Sequence, residues 1–411
     1  MEKAGARVFL GHKKEQIPAQ AEVVVFSTAI DLNNPELLEA KKRGLKLCHR
    51  SQLLAEFLKA KKALLVAGTH GKTTTSALLA YVLKKTGFSS SYSIGGILGK
   101  QGKNAGWGGG DYFVAEADES DGSFLNYGGL GAIVTNVEAD HLDYWGSLEE
   151  LHGGFRRFLD GISLKQNLFW CCEDPFLRKL KPPGISYGLQ KAAELRAREI
   201  KSGGGYVSYR IEWAGRSFER VRVRLMGEHN VLNSLAVFGL ALSLGVEEKA
   251  LRRALQSFPG VKRRLEKMGH KGETLFFEDY GHHPTEIRAV LKTIKKAWPK
   301  RPLVCVFQPH RYTRTKALFK EFQEAFGQAD RLIITDIYAA AEKPLAGVDS
   351  CKLAEALKAR QAGVFYVPRP RLKPFLISRL QKEKTRAIYL FLGAGDIPQD
   401  GRAVLKAVKK F

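Results

Sequence analysis

The stretch that decides the fold is Ala67-Gly68-Thr69-His70-Gly71-Lys72-Thr73-Thr74-Thr75, which stands between the apolar run 63–67 and a helix-length amphipathic segment. This context is typical of a phosphate-binding loop, because glycines let backbone N–H groups approach a phosphate and the helix N-terminus adds partial positive charge. Lys72 can reach a terminal phosphate, and the Thr73 hydroxyl can ligate Mg²⁺. The general consensus would place a glycine where Val66 stands, so an ordinary tight turn is the alternative. The predicted nucleotide ligands are Gly68, Thr69, His70, Gly71, Lys72, Thr73 and Thr74.

Carboxylates gather directly after the predicted strand 112–116. A Mg²⁺ ligand is expected near a phosphate loop, where the metal neutralises charge between the β- and γ-phosphates. Glu116 is the first acid after the strand and is the best candidate, with a solvated acidic loop as the alternative. The acids are Glu116, Asp118, Glu119 and Asp121.

A third predicted strand, 132–135, is followed by Asp140 and His141. We expect this strand to run parallel to strand 112–116, which places His141 in the crevice where doubly wound sheets bind ligands. A neutral imidazole there can ligate a second Mg²⁺, with Asp140 orienting the ring. The alternative is a purely structural histidine. The predicted metal ligands are thus Thr73, Glu116 and His141.

Two further strand ends, near residues 279 and 308, carry polar side chains. Parallel strands would deliver these groups to one crevice suited to a carboxylate and a ribose or an amine. The alternatives are helix caps at unrelated turns and a zinc site of His282, His283 and His310, which the adjacency of the first two disfavours. The groups concerned are Asp279, Tyr280, His282, His310, Arg311 and Arg314.

A polar segment, 227–233, begins another predicted helix. Asn230 and Asn233 lie three residues apart on one helix face, with His229 beside them. Amide side chains of this kind can read an adenine edge, whereas Asn230 alone could simply cap the helix. Both interpretations stay open at this point.

Composition limits the class of protein. The 411 residues carry 66 Lys and Arg against 42 Asp and Glu, a net charge of +24, which makes polyanionic partners worth testing. With 44% hydrophobic residues the chain is neither disordered nor fibrous. Five irregularly spaced cysteines without a CxxC pair indicate a reducing cytoplasm, and we expect no export signal and no membrane span.

Short β-branched runs alternate with amphipathic helical segments, which predicts α/β domains with doubly wound sheets. We expect three: a partial first domain (1–60) that opens with a short strand at 7–10, a central phosphate-loop domain (61–260) and a Rossmann-like third domain (261–411). The central domain should contain a hairpin of strands 206–212 and 217–225. Its row of Arg220, Arg222 and Arg224 is expected to be a solvated strand face.

The chain resembles the Mur ligases in the order and approximate spacing of eight motifs. The resemblance runs from about Gly5 to the end and is strongest to the members that add L-alanine. The motifs are GTHGKTTT (68–75), EADESD (116–121), TNVEADH (135–141), GEHNVLN (227–233), EDYGHHPTE (278–286), FQPHRYTRT (307–315), DIYAAAEKPLAGVDS (336–350) and LGAGDI (392–397).

The resemblance implies a three-domain architecture and a cytoplasmic enzyme that uses ATP and Mg²⁺ to join L-alanine to UDP-N-acetylmuramate through an acyl phosphate. Neither nucleic acid nor a membrane is an implied partner. The implied roles are Lys72 on the transferring phosphoryl group, and Thr73, Glu116 and His141 on the metals. His229 and Asn233 would bind adenine, Asp279 the ribose and Arg264 the phosphates. The implied alanine and acyl-phosphate site is Tyr280, His282, His310, Arg311 and Arg314.

One departure concerns the beginning of the chain. Mur ligases begin with a strand and a GxGGxGM loop for the uridine diphosphate, and nothing before segment 5–26 supplies them here. We expect a start misassigned downstream of the natural one, rather than a natively short chain or a loop from another chain. Competing functions are a muramyl-peptide recycling or folate-polyglutamylating ligase, a nucleic-acid-stimulated ATPase, and a non-catalytic nucleotide-binding relative.

Overall fold

The computed structural model describes residues 2, 5–99, 102–203, 205–382 and 386–409, and shows an α/β protein with three sheets. The ends of the first and third predicted domains, residues 1 and 411, lie outside these ranges. Short 3₁₀ turns occupy Lys14–Gln16, Ser123–Asn126 and Lys165–Asn167.

The first sheet is small, with two parallel strands among the described residues. Its elements are β1 (Val23–Phe26), α1 (Pro35–Lys42), β2 (Lys46–His49) and α2 (Arg50–Lys59). The predicted strand at 7–10 is wrong: within the described ranges this segment pairs with no strand, and Leu10 is 95% exposed. An apolar run without a neighbouring strand or a core to cover it does not become part of a sheet.

The central sheet has ten strands in the described chain, in the order β12-β11-β10-β9-β8-β7-β3-β6-β4-β5. The strands are β3 (Lys62–Ala67), β4 (Ser91–Ser93), β5 (Ala105–Gly106), β6 (Tyr112–Glu116), β7 (Gly131–Val134), β8 (Leu168–Cys171), β9 (Ile185–Gly188), β10 (Leu195–Gly203), β11 (Tyr206–Trp213) and β12 (Arg216–Val223). The helices are α3 (Lys72–Lys85), α4 (Leu142–Trp145), α5 (Leu148–Asp160), α6 (Pro175–Leu180), α7 (Glu228–Ser243) and α8 (Glu248–Gln256).

Strand β3 forms the centre of this sheet, because it is parallel to both β6 and β7 and lies between them. Helices α3 and α7 contribute to the core on one face, and α5 to the core on the other. The buried stretch 64–67 is therefore apolar throughout, as strands covered on both faces require. The carboxyl ends of β6, β3 and β7 meet at one edge, where their loops form a crevice.

Strand β10 enlarges the predicted hairpin into three antiparallel strands. In β12 and just after it, Arg220, Arg222 and Arg224 are exposed, as predicted for a solvated face. All five cysteines are free thiols. Among the described helices, none has the length and hydropathy that a bilayer span requires.

The third sheet has six strands in the described chain, in the order β13-β14-β18-β15-β16-β17, and all neighbours except the edge pair β13–β14 are parallel. The strands are β13 (Glu266–Lys271), β14 (Thr274–Asp279), β15 (Leu303–Phe307), β16 (Arg331–Ile334), β17 (Val364–Tyr366) and β18 (Ile388–Leu392). The helices are α9 (Pro284–Ala297), α10 (Tyr312–Ala317), α11 (Phe319–Phe322), α12 (Ser350–Lys358), α13 (Arg369–Lys382) and α14 (Ile397–Val408).

Candidate active site

The loop between β3 and α3 depends on two glycines. Gly68 has φ +131°, and a Cβ there would overlap Thr135 Oγ1. Gly71 precedes α3 with φ +85°, and its Cβ would lie 2.9 Å from Asn233 Oδ1. The positive φ would strain a side chain at either position, and at Gly68 the end of β7 also leaves no space for one.

The end of β7 holds this loop in place. The backbone N–H of Thr69 donates to the Asn136 carbonyl (2.9 Å), and that of His70 donates to Asn136 Oδ1 (2.8 Å). The Thr135 hydroxyl donates to the carbonyl of His70 (2.6 Å). This role of Asn136 was not predicted from the sequence, although the residue lies in the TNVEADH motif.

Lys72 lies in a buried network of carboxylates. Its Nζ donates to Glu119 Oε2 (2.7 Å) and to the Thr69 carbonyl (3.2 Å), and it lies 3.7 Å from Asp118 Oδ1. The side chains of Lys72 and Glu119 are only 11% and 1% exposed. Burial opposes the lysine charge, but the surrounding carboxylates outweigh it and raise the pKa of Lys72. Burial raises the pKa of Glu119.

Oxygen ligands suited to Mg²⁺ come together beside Lys72. The Thr73 hydroxyl donates to Glu116 Oε1 (2.9 Å), while Ser76 Oγ and the Gly95 N–H donate to Glu116 Oε2 (3.3 and 2.7 Å). A hydroxyl next to a carboxylate is the kind of oxygen pair that Mg²⁺ takes from protein. The structure therefore brings Thr73 and Glu116 together, and they fit the ion.

His141 lies at the start of α4, after the other strand that flanks β3. It has φ +56°, and its Nε2 lies 3.6 Å from Asp140 Oδ2. Asp140 also pairs with Arg314 across the cleft, through Oδ1 at 3.3 Å. Burial opposes the aspartate charge, but the Arg314 cation holds the pKa of Asp140 well below its usual value. A metal-binding role for His141 stays a prediction.

A cavity of about 180 Å³ adjoins the phosphate loop, between the central and third sheets. Glycine, amide and carboxylate groups from both sides line it, together with the apolar side chains of Leu225 and Val290. The predicted nucleotide residues on its wall are His70, Gly71, Thr74, His229, Asn230, Asn233, Arg264 and Asp279.

Within this wall, Asn230 mainly stabilises the local fold. Its Nδ2 donates to the carbonyl of Met226 (2.7 Å), and its Oδ1 accepts from Asn233 Nδ2 (3.1 Å). Asn233 keeps its Oδ1 next to Gly71 of the phosphate loop. Burial, with the Arg264 cation nearby, lowers the pKa of His229 to about 4, so its ring is neutral at pH 7.

Asp279 orders the segment on the opposite wall. Its Oδ1 accepts from the Gly281 N–H (2.7 Å) and its Oδ2 from the Leu265 N–H (2.6 Å). Burial raises the pKa of this carboxyl to about 6. Each oxygen has a further lone pair, which a sugar hydroxyl in the cavity could use.

The polar groups of the third sheet form a second cluster. Ring centroids are 5.4 Å apart for Tyr280 and His282 and 5.6 Å apart for His282 and His310, and Arg314 Nη1 lies 3.4 Å from His310 Nδ1. Burial lowers the pKa of His282 to about 3 and, with Arg314 and Arg311, that of His310 to about 4. Both histidines are therefore neutral near pH 7.

Tyr338 belongs to this cluster, and our sequence analysis missed it. Its ring stacks on His310 with centroids 5.7 Å apart. The Arg311 N–H donates to the Tyr338 carbonyl (2.9 Å), which supports Arg311 at φ +65° before α10. Tyr338 lies in the DIYAAAEKPLAGVDS motif, which offered the signal.

Direct contacts join the central and third sheets across the cleft. The Thr285 hydroxyl donates to Glu138 Oε2 (2.8 Å), and His70 Nδ1 lies 3.3 Å from Glu286 Oε1. Together with the Arg314–Asp140 pair, these contacts describe a closed arrangement. Sequence analysis did not single out Glu138, Thr285 or Glu286, because nothing in one strand-to-helix turn reveals which turn it faces.

The first sheet contacts the central one through Asp121. Its Oδ2 accepts from the Thr28 hydroxyl (2.8 Å) and from Arg50 Nη2 (3.2 Å). Against the effect of burial, hydrogen bonds from Ser123 and Thr28 lower the pKa of Asp121. The last acid of the EADESD motif therefore serves the junction between these sheets.

Comparison with known families gives matches along most of the chain. Residues 1–62 match the Mur ligase family catalytic domain, residues 66–241 the Mur ligase middle domain, and residues 263–395 the Mur ligase glutamate ligase domain. These matches agree with the three-domain α/β architecture that the sequence predicts.

Similar proteins share this architecture over nearly full length. The UDP-N-acetylmuramate–L-alanine ligase of Desulfosudis oleivorans is 41% identical over 412 residues, covering 99% of this chain and 89% of that protein. The corresponding protein of Geobacter sulfurreducens is 41% identical over 413 residues, covering 99% of this chain and 88% of that protein. The crystal structure of UDP-N-acetylmuramate-alanine ligase from Thermotoga maritima superimposes with a TM-score of 0.83 at 28% identity, covering 100% of this chain and 90% of that one.

Proposed function

The chain belongs to the Mur ligase family, and on this premise we propose that it uses ATP to join L-alanine to UDP-N-acetylmuramate in peptidoglycan precursor synthesis. One observation carries the proposal. In the cleft, the phosphate loop of the central sheet faces a cluster of neutral histidines and arginines on the third sheet. The long matches to alanine-adding relatives support the choice of substrates. In this proposal residues 1–60 contact the UDP-sugar, 61–260 bind ATP and 261–411 bind the amino acid.

The reaction has two steps. The muramyl carboxylate attacks the γ-phosphorus of ATP, so that ADP leaves and an acyl phosphate forms. The amine of L-alanine then attacks the acyl carbon, an amide bond forms, and phosphate and a proton leave. Lys72 and the N–H groups at the start of α3 would neutralise charge on the transferring phosphoryl group.

Thr73 and Glu116 are the residues that would hold Mg²⁺, with His141 as the proposed ligand for a second ion. Bound Mg²⁺ supplies charge neutralisation between the phosphates and the carboxylate. Before nucleotide binds, Lys72 is already drawn toward Glu119, which holds its ammonium group at the end of the phosphate loop.

The nucleoside would occupy the cavity beside the loop. The neutral His229 ring and Asn233 offer one apolar and one polar surface to adenine, and Asp279 offers its free lone pairs to the ribose. Arg264 lies on the same wall and would contact phosphate from the third domain.

The alanine would bind in the second cluster, near the acyl phosphate. Arg314 and Arg311 provide cations for the amino acid carboxylate or the acyl phosphate. His282 and His310 would line the amino acid site as neutral hydrogen-bond partners, since their low pKa values keep them unprotonated and make them weak bases at neutral pH. Closure of the third domain would keep water from the acyl phosphate. The ATP requirement and the five free thiols support the cytoplasm as the compartment.

The test is phosphate release by the full chain with ATP, Mg²⁺, UDP-N-acetylmuramate and L-alanine, with the amide product identified by mass spectrometry. We expect turnover that needs all four components. Stronger turnover with a tripeptide, or with folate and glutamate, would assign the recycling or folate reaction instead. Stimulation by DNA or RNA, without response to the acceptor pair, would overturn the proposal.

A further inference from the structure

A histidine and carboxylate cluster lies at the phosphate loop, and the proposed reaction gives no role to its members Glu138 and His283. His70 and Glu138 come from the central sheet, and His283 comes from the turn before α9 on the third sheet. One ligand atom from each of these three residues lies within 4.8 Å of the other two. Among the described residues, these three are close enough together to hold a metal ion. The zinc site of His282, His283 and His310 that the sequence suggested as an alternative does not form such a group.

We propose that His70, Glu138 and His283 form a binding site for a zinc-class transition metal ion that bridges the central and third domains. Two imidazole nitrogens and one carboxylate oxygen are a ligand set that Zn²⁺ uses, with a fourth position left for water or another ligand. The oxygen ligands Thr73 and Glu116 suit Mg²⁺ instead, so the two sites differ in chemistry.

Two ring nitrogens without a hydrogen-bond partner among the described residues support this assignment. His283 Nε2 and His70 Nε2 are both buried, and His70 Nε2 has only a 3.6 Å ion-pair contact with Glu138 Oε2. Against the effect of burial, Glu138 and Glu286 raise the pKa of His70 to about 9, so a bound ion would displace a proton from this ring. His283 is only 6% exposed as a residue. A buried ring nitrogen without a partner is costly, and a metal ion would satisfy both nitrogens at once.

The remaining nitrogen of His70 is held as a metal ligand requires. His70 Nδ1 lies 3.3 Å from Glu286 Oε1, and a carboxylate at this position orients the ring and leaves Nε2 for the metal. Glu138 is oriented in the same way, because its Oε2 accepts from the Thr285 hydroxyl at 2.8 Å. His283 Nδ1 has a long contact of 3.4 Å with the Thr285 N–H, which metal binding through Nε2 would give up.

The ion would need a small rearrangement. Zn–N bonds of about 2.0 Å imply ligand atoms roughly 3.3 Å apart, so the three groups must approach by on the order of 1 Å. His70 and Glu138 also line the nucleotide cavity, so the open coordination position lies beside that cavity. The bound ion would link two domains that must separate to release products, and zinc would therefore slow turnover.

The experiment is titration of ZnCl₂ into the metal-free full chain, followed by calorimetry, with no substrate present. Wild-type protein should bind one Zn²⁺ at this site, and His283→Gln and Glu138→Gln should each weaken binding by at least about tenfold. Circular dichroism and thermal midpoints of the variants establish that they fold. Small-angle scattering should show a more compact wild-type chain with zinc, and no such change in His283→Gln.

Matched variants separate this site from others. His270→Gln removes an exposed histidine of the third sheet, and Glu116→Gln removes the proposed Mg²⁺ ligand; both should retain the zinc site. The proposal is overturned if wild-type protein binds no zinc, if folded His283→Gln and Glu138→Gln bind it unchanged, or if His270→Gln weakens binding equally. Because no outcome depends on turnover, failure here is distinguishable from failure of the ligase assignment.

Discussion

Lys72 and Glu119 form a buried pair of opposite charges at the end of the phosphate loop. In the proposed reaction the ammonium group would stabilise the transferring phosphoryl group, and in the structure Glu119 compensates its charge. Because both side chains are buried, neither can be removed without leaving the other charge without its partner.

Lys72→Met should therefore abolish turnover and also lower the free energy of unfolding by about 3–5 kcal/mol, since the Glu119 carboxylate is left buried and unpaired. Urea unfolding and phosphate release measure the two effects. The double variant Lys72→Met with Glu119→Gln should recover much of the stability and none of the turnover. If the double variant is no more stable than Lys72→Met, the charge pair does not have this role.

Glu116→Gln should weaken the response to Mg²⁺. The amide keeps the size of the side chain but loses its charge, which weakens its bond to Mg²⁺. The Mg²⁺ concentration at half-maximal turnover should therefore rise by about tenfold or more, as is typical when a group that supports a metal site is replaced. Asp143→Asn is the matched control, because Asp143 is an exposed acid near the same crevice. Equal Mg²⁺ dependence of wild type and Glu116→Gln would remove Glu116 from the metal site.

Individual side chains near the loop were predicted to different extents. Thr73 and Glu116 were expected together and are 2.9 Å apart, because both are adjacent to strands whose order a phosphate-loop fold dictates. Asn136 and Glu138 were not singled out, since their partners His70 and Thr285 are remote in sequence. A local sequence pattern indicates which chemical groups a turn carries. Which other turn packs against it depends on tertiary contacts between residues remote in sequence.

The phosphate loop is the element most restricted by its neighbours. Its path between β3 and α3 passes so close to the end of β7 that Gly68 has no space for a side chain. A residue with a side chain would also be strained at φ +131°.

Gly68→Ala should consequently lose ATP binding and lower the thermal midpoint, with backbone strain of about 1–3 kcal/mol added to the overlap with Thr135 Oγ1. Gly109→Ala, at an exposed position where an added Cβ would have nothing within 4 Å, should leave both unchanged. Combining Gly68→Ala with Thr135→Ala should restore only part of the stability, because φ and the nearby Asn136 carbonyl are unaffected. Calorimetric ATP titration and thermal melting distinguish these outcomes.

Strands and helices were predictable where the sequence of one segment alone shows which of its residues are buried. Strand β6 has the predicted bounds 112–116, because a continuous apolar run ends there at polar residues. The segment 7–10 also contains apolar residues but has no strand partner in the part of the chain that the structure describes. Strand β10 was missed because its alternation is interrupted by a bulge between Arg198 and Lys201. Sheet order and the closed cleft depend on contacts remote in sequence and could not be read from any single element.

At the scale of the whole molecule, the cleft between the central and third sheets holds three partly buried histidines whose pKa values are lowered. His229, His282 and His310 have pKa values of about 4, 3 and 4, below their ordinary value of 6.5. Between pH 6.5 and these values the unfolded chain binds more protons than the folded one, so stability falls as the pH falls.

Denaturant unfolding at about pH 7 and at about pH 5 should show this loss, of about 1–2 kcal/mol for each histidine. Asp279 and His70 act in the opposite direction, because the folded state takes up their protons first: burial raises the pKa of Asp279 from 3.8 to about 6, and Glu138 and Glu286 raise that of His70 to about 9 against the effect of burial. His282→Asn should make the pH dependence shallower, whereas His270→Gln, at an exposed histidine, should not. An unchanged slope in His282→Asn would mean that this ring does not charge on unfolding.

The exposed arginines of β12 affect the behaviour of many copies of the chain in solution. β12 is the outermost strand at one end of the described central sheet, and such an edge offers unpaired backbone groups to any strand that approaches it. Arg220, Arg222 and Arg224 place three like charges along it, so the same edge of a second molecule is repelled before the backbones can pair. We therefore expect part of the large positive charge to disfavour edge-to-edge pairing between copies of the chain.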